Sequence, residues 1–124
     1  MQRIIVTGAT SMIGVALIEE CIKHGTEVYA VVREGSEKRS RLPESSLIKF
    51  VDCSLEHLDR LPEMIPQECD TFYHIAWGNT GENRNSSTER QSRNIGYTLA
   101  AVKAAAALGC KRFIGAGSQA EYGL

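Results

Sequence analysis

Apolar positions in this chain fall into short β-branched or aromatic runs separated by longer stretches of helical spacing. Ile4, Ile5 and Val6 make the first run, in a segment from about Arg3 to Thr7. "EVYAVV" (27–32), "LIKFVD" (47–52) and "DTFYHIAW" (70–77) repeat the form, and "KRFIGAG" gives a fifth run that ends near Ala116. Continuous apolar runs of this length, bounded by turn residues, predict buried strands. Between them, Ile13 to His24 reads as an amphipathic helix stopped at Gly25. A longer helix is predicted from Ser87 to Leu108, stopped at Gly109. "LEHLDRLPEMI" predicts a short helix broken at Pro62, and "REGSEKRSRLPESS" a polar, basic loop with one turn of helix.

Strands that alternate with helices predict a parallel sheet covered on both faces. Right-handed crossovers then give a doubly wound α/β sheet with strand order 3-2-1-4-5. A sheet that stops on a fresh strand has an uncovered edge. Residues 1–124 are therefore expected to be the N-terminal part of a larger domain whose second half is missing.

Bulk properties narrow the function only a little. A chain of 124 residues suits one domain, and a formal net charge of −1 gives no pointer to nucleic acid or a membrane surface. Cys21, Cys53, Cys69 and Cys110 are widely spaced with no C-x-x-C pair, which predicts reduced thiols in a cytoplasmic protein. No stretch has the ~18 apolar residues of a membrane span, and the direct entry into a first strand predicts that there is no signal peptide.

The chemistry begins at "TGATSMIG". A buried strand, a turn of small residues and a helix N-terminus together form a cradle for phosphate, because unpaired N–H groups and the helix dipole both favour an anion there. Gly8 and Gly14 let backbone approach a pyrophosphate closely, and Thr7, Thr10 and Ser11 are candidate hydroxyl donors. Met12 and Ile13 are expected to pack beside or border the pocket. The second strand ends at Val32 and is followed by Arg33, where an acid would bind the 2′-hydroxyl of an adenosine ribose. A guanidinium can fork onto a phosphate, so Arg33 predicts NADP in preference to NAD, with Ser36 and Arg39 as helpers. Asp52 is expected to accept from the adenine amino group while the Cys53 N–H reads a ring nitrogen; the competing reading makes Asp52 an N-cap. Ala76, Trp77 and Gly78 follow the fourth strand, where backbone contacts to adenosine or pyrophosphate are expected. His74 is expected to be a satisfied core histidine. Asn94 and Gly96 conflict with the long helix that holds them, which marks Asn94 as a holder of a catalytic group or a water near the nicotinamide. Ser118, after the fifth strand, is expected to hydrogen-bond a substrate carbonyl or alcohol.

Taken together, these segments resemble the extended short-chain dehydrogenase/reductase family, the NAD(P)-dependent nucleotide-sugar epimerase and dehydratase group, over essentially the whole chain. The resemblance implies a Rossmann-type fold. The family's T-G-x-x-G-x-x-G is matched by Thr7, Gly8 and Gly14, with Ser11 in place of the middle glycine. Its adenine aspartate falls on Asp52, its helix asparagine on Asn94 and its H-x-A-A/G on His74 and Ala76, where Trp77 is larger than usual. Its S-S-x-x-x-Y-G falls on Gly117, Ser118, Tyr122 and Gly123, with Ser118 in the place of the catalytic serine or threonine.

The family's acid/base pair, Y-x-x-x-K, has no counterpart here. None of Tyr29, Tyr73, Tyr97 or Tyr122 has a lysine four positions on. The resemblance thus implies that residues 1–124 alone do not turn over substrate. Family dehydratases carry Asp and Glu after the catalytic residue, whereas Gln119 and Ala120 stand here, which disfavours dehydration. What remains is the cofactor-binding portion of a nucleotide-sugar epimerase or keto-sugar reductase that works by hydride transfer at a sugar carbon. The resemblance also implies a homodimer paired through the alanine-rich helix. A non-catalytic NADP-binding redox sensor of the same fold is the alternative, and Asn94 and Ser118 argue against it.

Overall fold

A computed structural model describes residues 2–33, 35, 37–75 and 88–115. Five strands lie in one sheet: β1 (Arg3–Thr7), β2 (Glu27–Val32), β3 (Ile48–Asp52), β4 (Thr71–His74) and β5 (Arg112–Gly115). Their order is 3-2-1-4-5 and every pairing is parallel, as the alternating pattern predicts. β1 is central, so Ile4, Ile5 and Val6 are buried on both faces of the sheet.

The two faces have separate cores. Ile4, Val6, Val28, Ala30 and Val32 pack against Ile18 of α1 (Met12–Lys23) on one side. Ile5, Tyr29, Val31 and Phe72 pack on the other against Ala101, Ala104, Ala105 and Leu108, which belong to or follow α3 (Thr88–Ala107). This period-two division is what a pleated strand covered on both sides requires. The alanines of α3 let the helix lie close to the sheet, and Phe72 stacks on Phe113 with ring centroids 5.5 Å apart.

Two boundaries differ from expectation. β4 ends at His74, and the strand predicted to reach Trp77 passes through Ile75 into residues outside those described. Pro62 starts a helix where the sequence predicted a break. A 3-10 turn covers Leu55–Arg60, with the non-helical residue at His57, and α2 (Leu61–Met64) follows with the proline in its first turn. A proline there gives up only an N–H that has no helical partner. The basic loop does contain its turn of helix, a 3-10 segment at Glu37–Arg41.

The tightest constraint is where α1 begins. A Cβ added at Gly14 would stand 2.2 Å from the Gly8 carbonyl oxygen and 3.0 Å from Ala9 backbone atoms. Gly8 itself has φ +68°, a left-handed conformation that glycine adopts without strain. Gly14→Ala should therefore destabilise the protein by about 1–3 kcal/mol, the usual cost of overpacking, and denaturant unfolding would read it. Unchanged stability would mean that α1 slides freely away from the turn.

Candidate cofactor site

The carboxyl ends of β1, β2 and β3 form one edge, and most of the expected site residues lie along it. Thr7 is level with Val31, and Val32 with Asp52, which sets Gly8, Arg33 and Asp52 side by side at the crevice. Ligands of open α/β sheets bind at such an edge.

Ser11 is the N-cap of α1. Its Oγ accepts from the Gly14 N–H at 3.0 Å and its hydroxyl donates to the Gly8 carbonyl at 2.7 Å. The serine in the middle-glycine position thus ties the turn to the helix at both ends, and its proton is already committed. Thr7 is not a phosphate donor either, because its hydroxyl lies inside the fold. It shares a 2.9 Å hydrogen bond with His74 Nδ1 and accepts from the Ile75 N–H at 3.1 Å. The Met12 and Ile13 amides belong to the first turn, where no intrahelical carbonyl is available. The first turn holds no acidic residue. Met12 and Ile13 are 88% and 61% exposed, so they do not pack into the core. A cradle that a Cβ would fill, with two such amides and no acidic residue in the helix's first turn, fits a pyrophosphate.

The basic segment crosses this mouth. Arg41 Nη1 donates to the Thr10 carbonyl at 3.1 Å, which fastens the 3-10 turn to the glycine turn. Arg33 is exposed at the end of β2. Arg39 is ion-paired with Asp52 Oδ1 and lies over the Phe50 ring, 5.3 Å from its centroid. Asp52 therefore meets a guanidinium at Oδ1 and does not cap the following turn. The N-cap of the following turn is Ser54. Cys53 is buried. Its amide donates to the Val32 carbonyl at 2.9 Å and its thiol to the His57 carbonyl at 3.1 Å, so the N–H assigned to a ring nitrogen is used by the sheet. Sequence reasoning missed both Arg41 and the Arg39–Asp52 pair, and the density of arginines after β2 was the only signal for either.

Asn94 is fully buried in the first half of α3, and its carbonyl accepts from the Thr98 hydroxyl at 3.0 Å. A Cβ at the neighbouring Gly96 would meet nothing within 4 Å. Ser36, Ala76, Trp77, Gly78 and Ser118 lie outside the described residues. Among the described residues no cluster of metal-ligating side chains occurs, and no helix is long and apolar enough to cross a membrane.

His74 is buried as expected, but among the described residues only Nδ1 finds a hydrogen-bond partner and Nε2 has none. Burial lowers its pKa from 6.5 to about 4. The imidazole is thus neutral in the folded protein near neutral pH.

The chain belongs to the NAD dependent epimerase/dehydratase family, whose model matches residues 4–124. No curated protein sequence matches it. Among solved structures, a UDP-galactose 4-epimerase has a TM-score of 0.80 at 20% identity, over 98% of this chain and 40% of that one. A UDP-N-acetylglucosamine 4-epimerase from Methanobrevibacter ruminantium M1 has a TM-score of 0.79 at 20% identity, over 98% and 39%. The Bordetella bronchiseptica enzyme WbmH in complex with NAD+ has a TM-score of 0.71 at 20% identity, over 91% and 38%. At these identities the likeness is one of fold. The chain spans about two-fifths of each of these proteins.

His74 should make the protein acid-sensitive. Its folded-state pKa lies below the unfolded value, so stability is fully present above pH 6.5 and is lost as pH falls toward 4. The loss should be roughly 3 kcal/mol across that window. Denaturant unfolding at a series of pH values should show a flatter profile for His74→Gln than for the parent protein. Parallel profiles would show that another group controls the acid limb.

Proposed function

We propose that residues 1–124 are the N-terminal, cofactor-binding part of an NADP-dependent nucleotide-sugar epimerase or keto-sugar reductase. One observation carries this reading. The glycine turn and the N-terminus of α1 share an edge with an exposed arginine, where an NAD-selective site would have a carboxylate. The pyrophosphate is held by the Met12 and Ile13 amides at the positive end of α1. Arg33 takes the 2′-phosphate, and Thr10, fastened by Arg41, forms the opposite lip. Asp52 meets adenine only as Arg39 shifts, and a partly exposed ion pair of this kind contributes about 1 kcal/mol or less. A nicotinamide held here would supply and recover hydride. Ser118 orients the sugar hydroxyl or ketone, and Asn94 supports that region from inside α3. The family's NAD dependence and the epimerase neighbours support the general class; the arginine supports the choice of NADP. Four free thiols suit a cytoplasmic setting.

We also propose that the protein pairs through α3. Ile95, Leu99 and Val102 recur at helical spacing and are 60%, 58% and 42% exposed. Gly96, beside them, leaves room for a close approach. An apolar stripe on a helix face is costly to leave in water. Leu99→Glu should shift the protein toward monomer in light scattering. A parent protein that is monomeric at high concentration would refute the pairing.

Calorimetric titration tests the cofactor assignment. NADPH should bind more tightly than NADH, and Arg33→Ala should weaken NADPH by about 1.5–3 kcal/mol while leaving NADH nearly unchanged. Equal affinities, or tighter NADH binding, would assign the site to NAD. No binding of either would overturn the cofactor reading itself.

A further inference from the structure

The end of the sheet away from the crevice holds two thiols on neighbouring chain segments. Cys69 leads into β4 and Cys110 leads into β5. Counting back from the Thr71–Arg112 pair brings them level with each other. The segments stay hydrogen-bonded on both sides of the pair. The Cys69 N–H donates to the Leu108 carbonyl at 3.0 Å, and the Lys111 N–H donates to the Asp70 carbonyl at 2.9 Å. Both side chains contact the same core cluster, under α3. Cys69 is buried and Cys110 is partly exposed, so of the two thiols Cys110 is the one reachable from solvent.

Hydrogen-bonded neighbouring strands run about 4.8 Å apart, and a disulfide spans Cα separations of about 4.4–6.8 Å. We propose that Cys69 and Cys110 are an oxidisable pair, a modification site for small disulfide oxidants such as oxidised glutathione. The Cys110 thiolate attacks one sulfur of oxidised glutathione. An S–S bond forms to Cys110, the glutathione S–S bond breaks, and one glutathione thiolate leaves. The Cys69 thiolate then attacks Cys110 Sγ and expels the second glutathione as thiolate. Two protein thiols are oxidised and one glutathione disulfide is reduced to two thiols, with the two thiol protons passing to solvent or to the leaving thiolates. A dithiol reductant reverses both steps.

The surroundings set the rate. Burial, then the neighbouring Cys110 thiol, push the Cys69 thiol up to about 12; Asp70 and Glu27 push the same way and Arg3 opposes them. Burial and Asp70 also raise Cys110. Both thiols are thus mostly protonated near neutral pH, and oxidation is slow there and faster in alkali. The closed bond encloses β4 and α3 and clamps edge strand β5, which leads toward Ser118.

The test is to treat the native protein with oxidised glutathione at pH 8.5, block free thiols and digest with trypsin. Cleavage after Arg60, Arg84, Lys103 and Lys111 places the two cysteines in peptides 61–84 and 104–111. The expected product is these two peptides joined, separated again by dithiothreitol, with the melting temperature of the undigested protein raised by on the order of 10 °C. Cys110→Ser should abolish the link and the rise. The readout on the parent protein stands even if a Cys69 variant does not fold. A lasting glutathione adduct on Cys110 without the joined peptides would overturn the proposal, as would two thiols that both remain free.

Discussion

The approach of Gly14 to the Gly8 carbonyl fixes the geometry of everything at the crevice. With no Cβ between them, α1 starts directly on the turn that leaves β1, and a side chain at position 14 would push the helix off that carbonyl. Ser11 exploits this closeness. It can cap α1 and hold the Gly8 carbonyl at once only because both lie within reach of one hydroxyl. The first amides of α1 are thereby held at the carboxyl edge of the sheet with no intrahelical carbonyl to pair with.

The opposite lip is built from arginines bound in different ways. Arg41 is tied to backbone, Arg39 to a carboxylate and an aromatic face, and Arg33 projects from the end of β2. A bond to the Thr10 carbonyl positions a cation beside the glycine turn without neutralising it, whereas the Arg39–Asp52 pair cancels both charges. The two arginines thus differ along one edge: the one beside the glycine turn keeps its charge, and the one beyond it is neutralised.

The sheet was largely legible because a parallel strand buried on both faces leaves an apolar run that little else imitates. Ile4 to Val6 and "EVYAVV" could not serve as surface segments. Gly25 and Gly109 mark turns after helices, and both have positive φ. What the sequence hid depends on contacts between distant residues. Nothing local to Thr7 reveals that its hydroxyl turns inward to His74, 67 positions away. Nor does the run "VDCSL" disclose that Asp52 is held by Arg39, or that the Cys53 amide is used by β2. The misplaced break at Pro62 has a local cause. Proline reads equally well as a stop or as the first turn of a helix, and the choice falls to the burial of Leu61 and Ile65.

The position of β1 at the centre of the sheet has a consequence for synthesis on the ribosome. Of these five strands, the first to emerge is the one that needs neighbours on both sides. β2 arrives soon after, but β4 follows only after some forty further residues, and each parallel partner must cross over to reach its place. Until then Ile5 and its neighbours present an open, apolar edge, of the kind that draws other nascent chains or a chaperone. Non-local pairing of this sort also slows folding. The interval between β1 and β4 is therefore the period in which this chain is most exposed to misassembly.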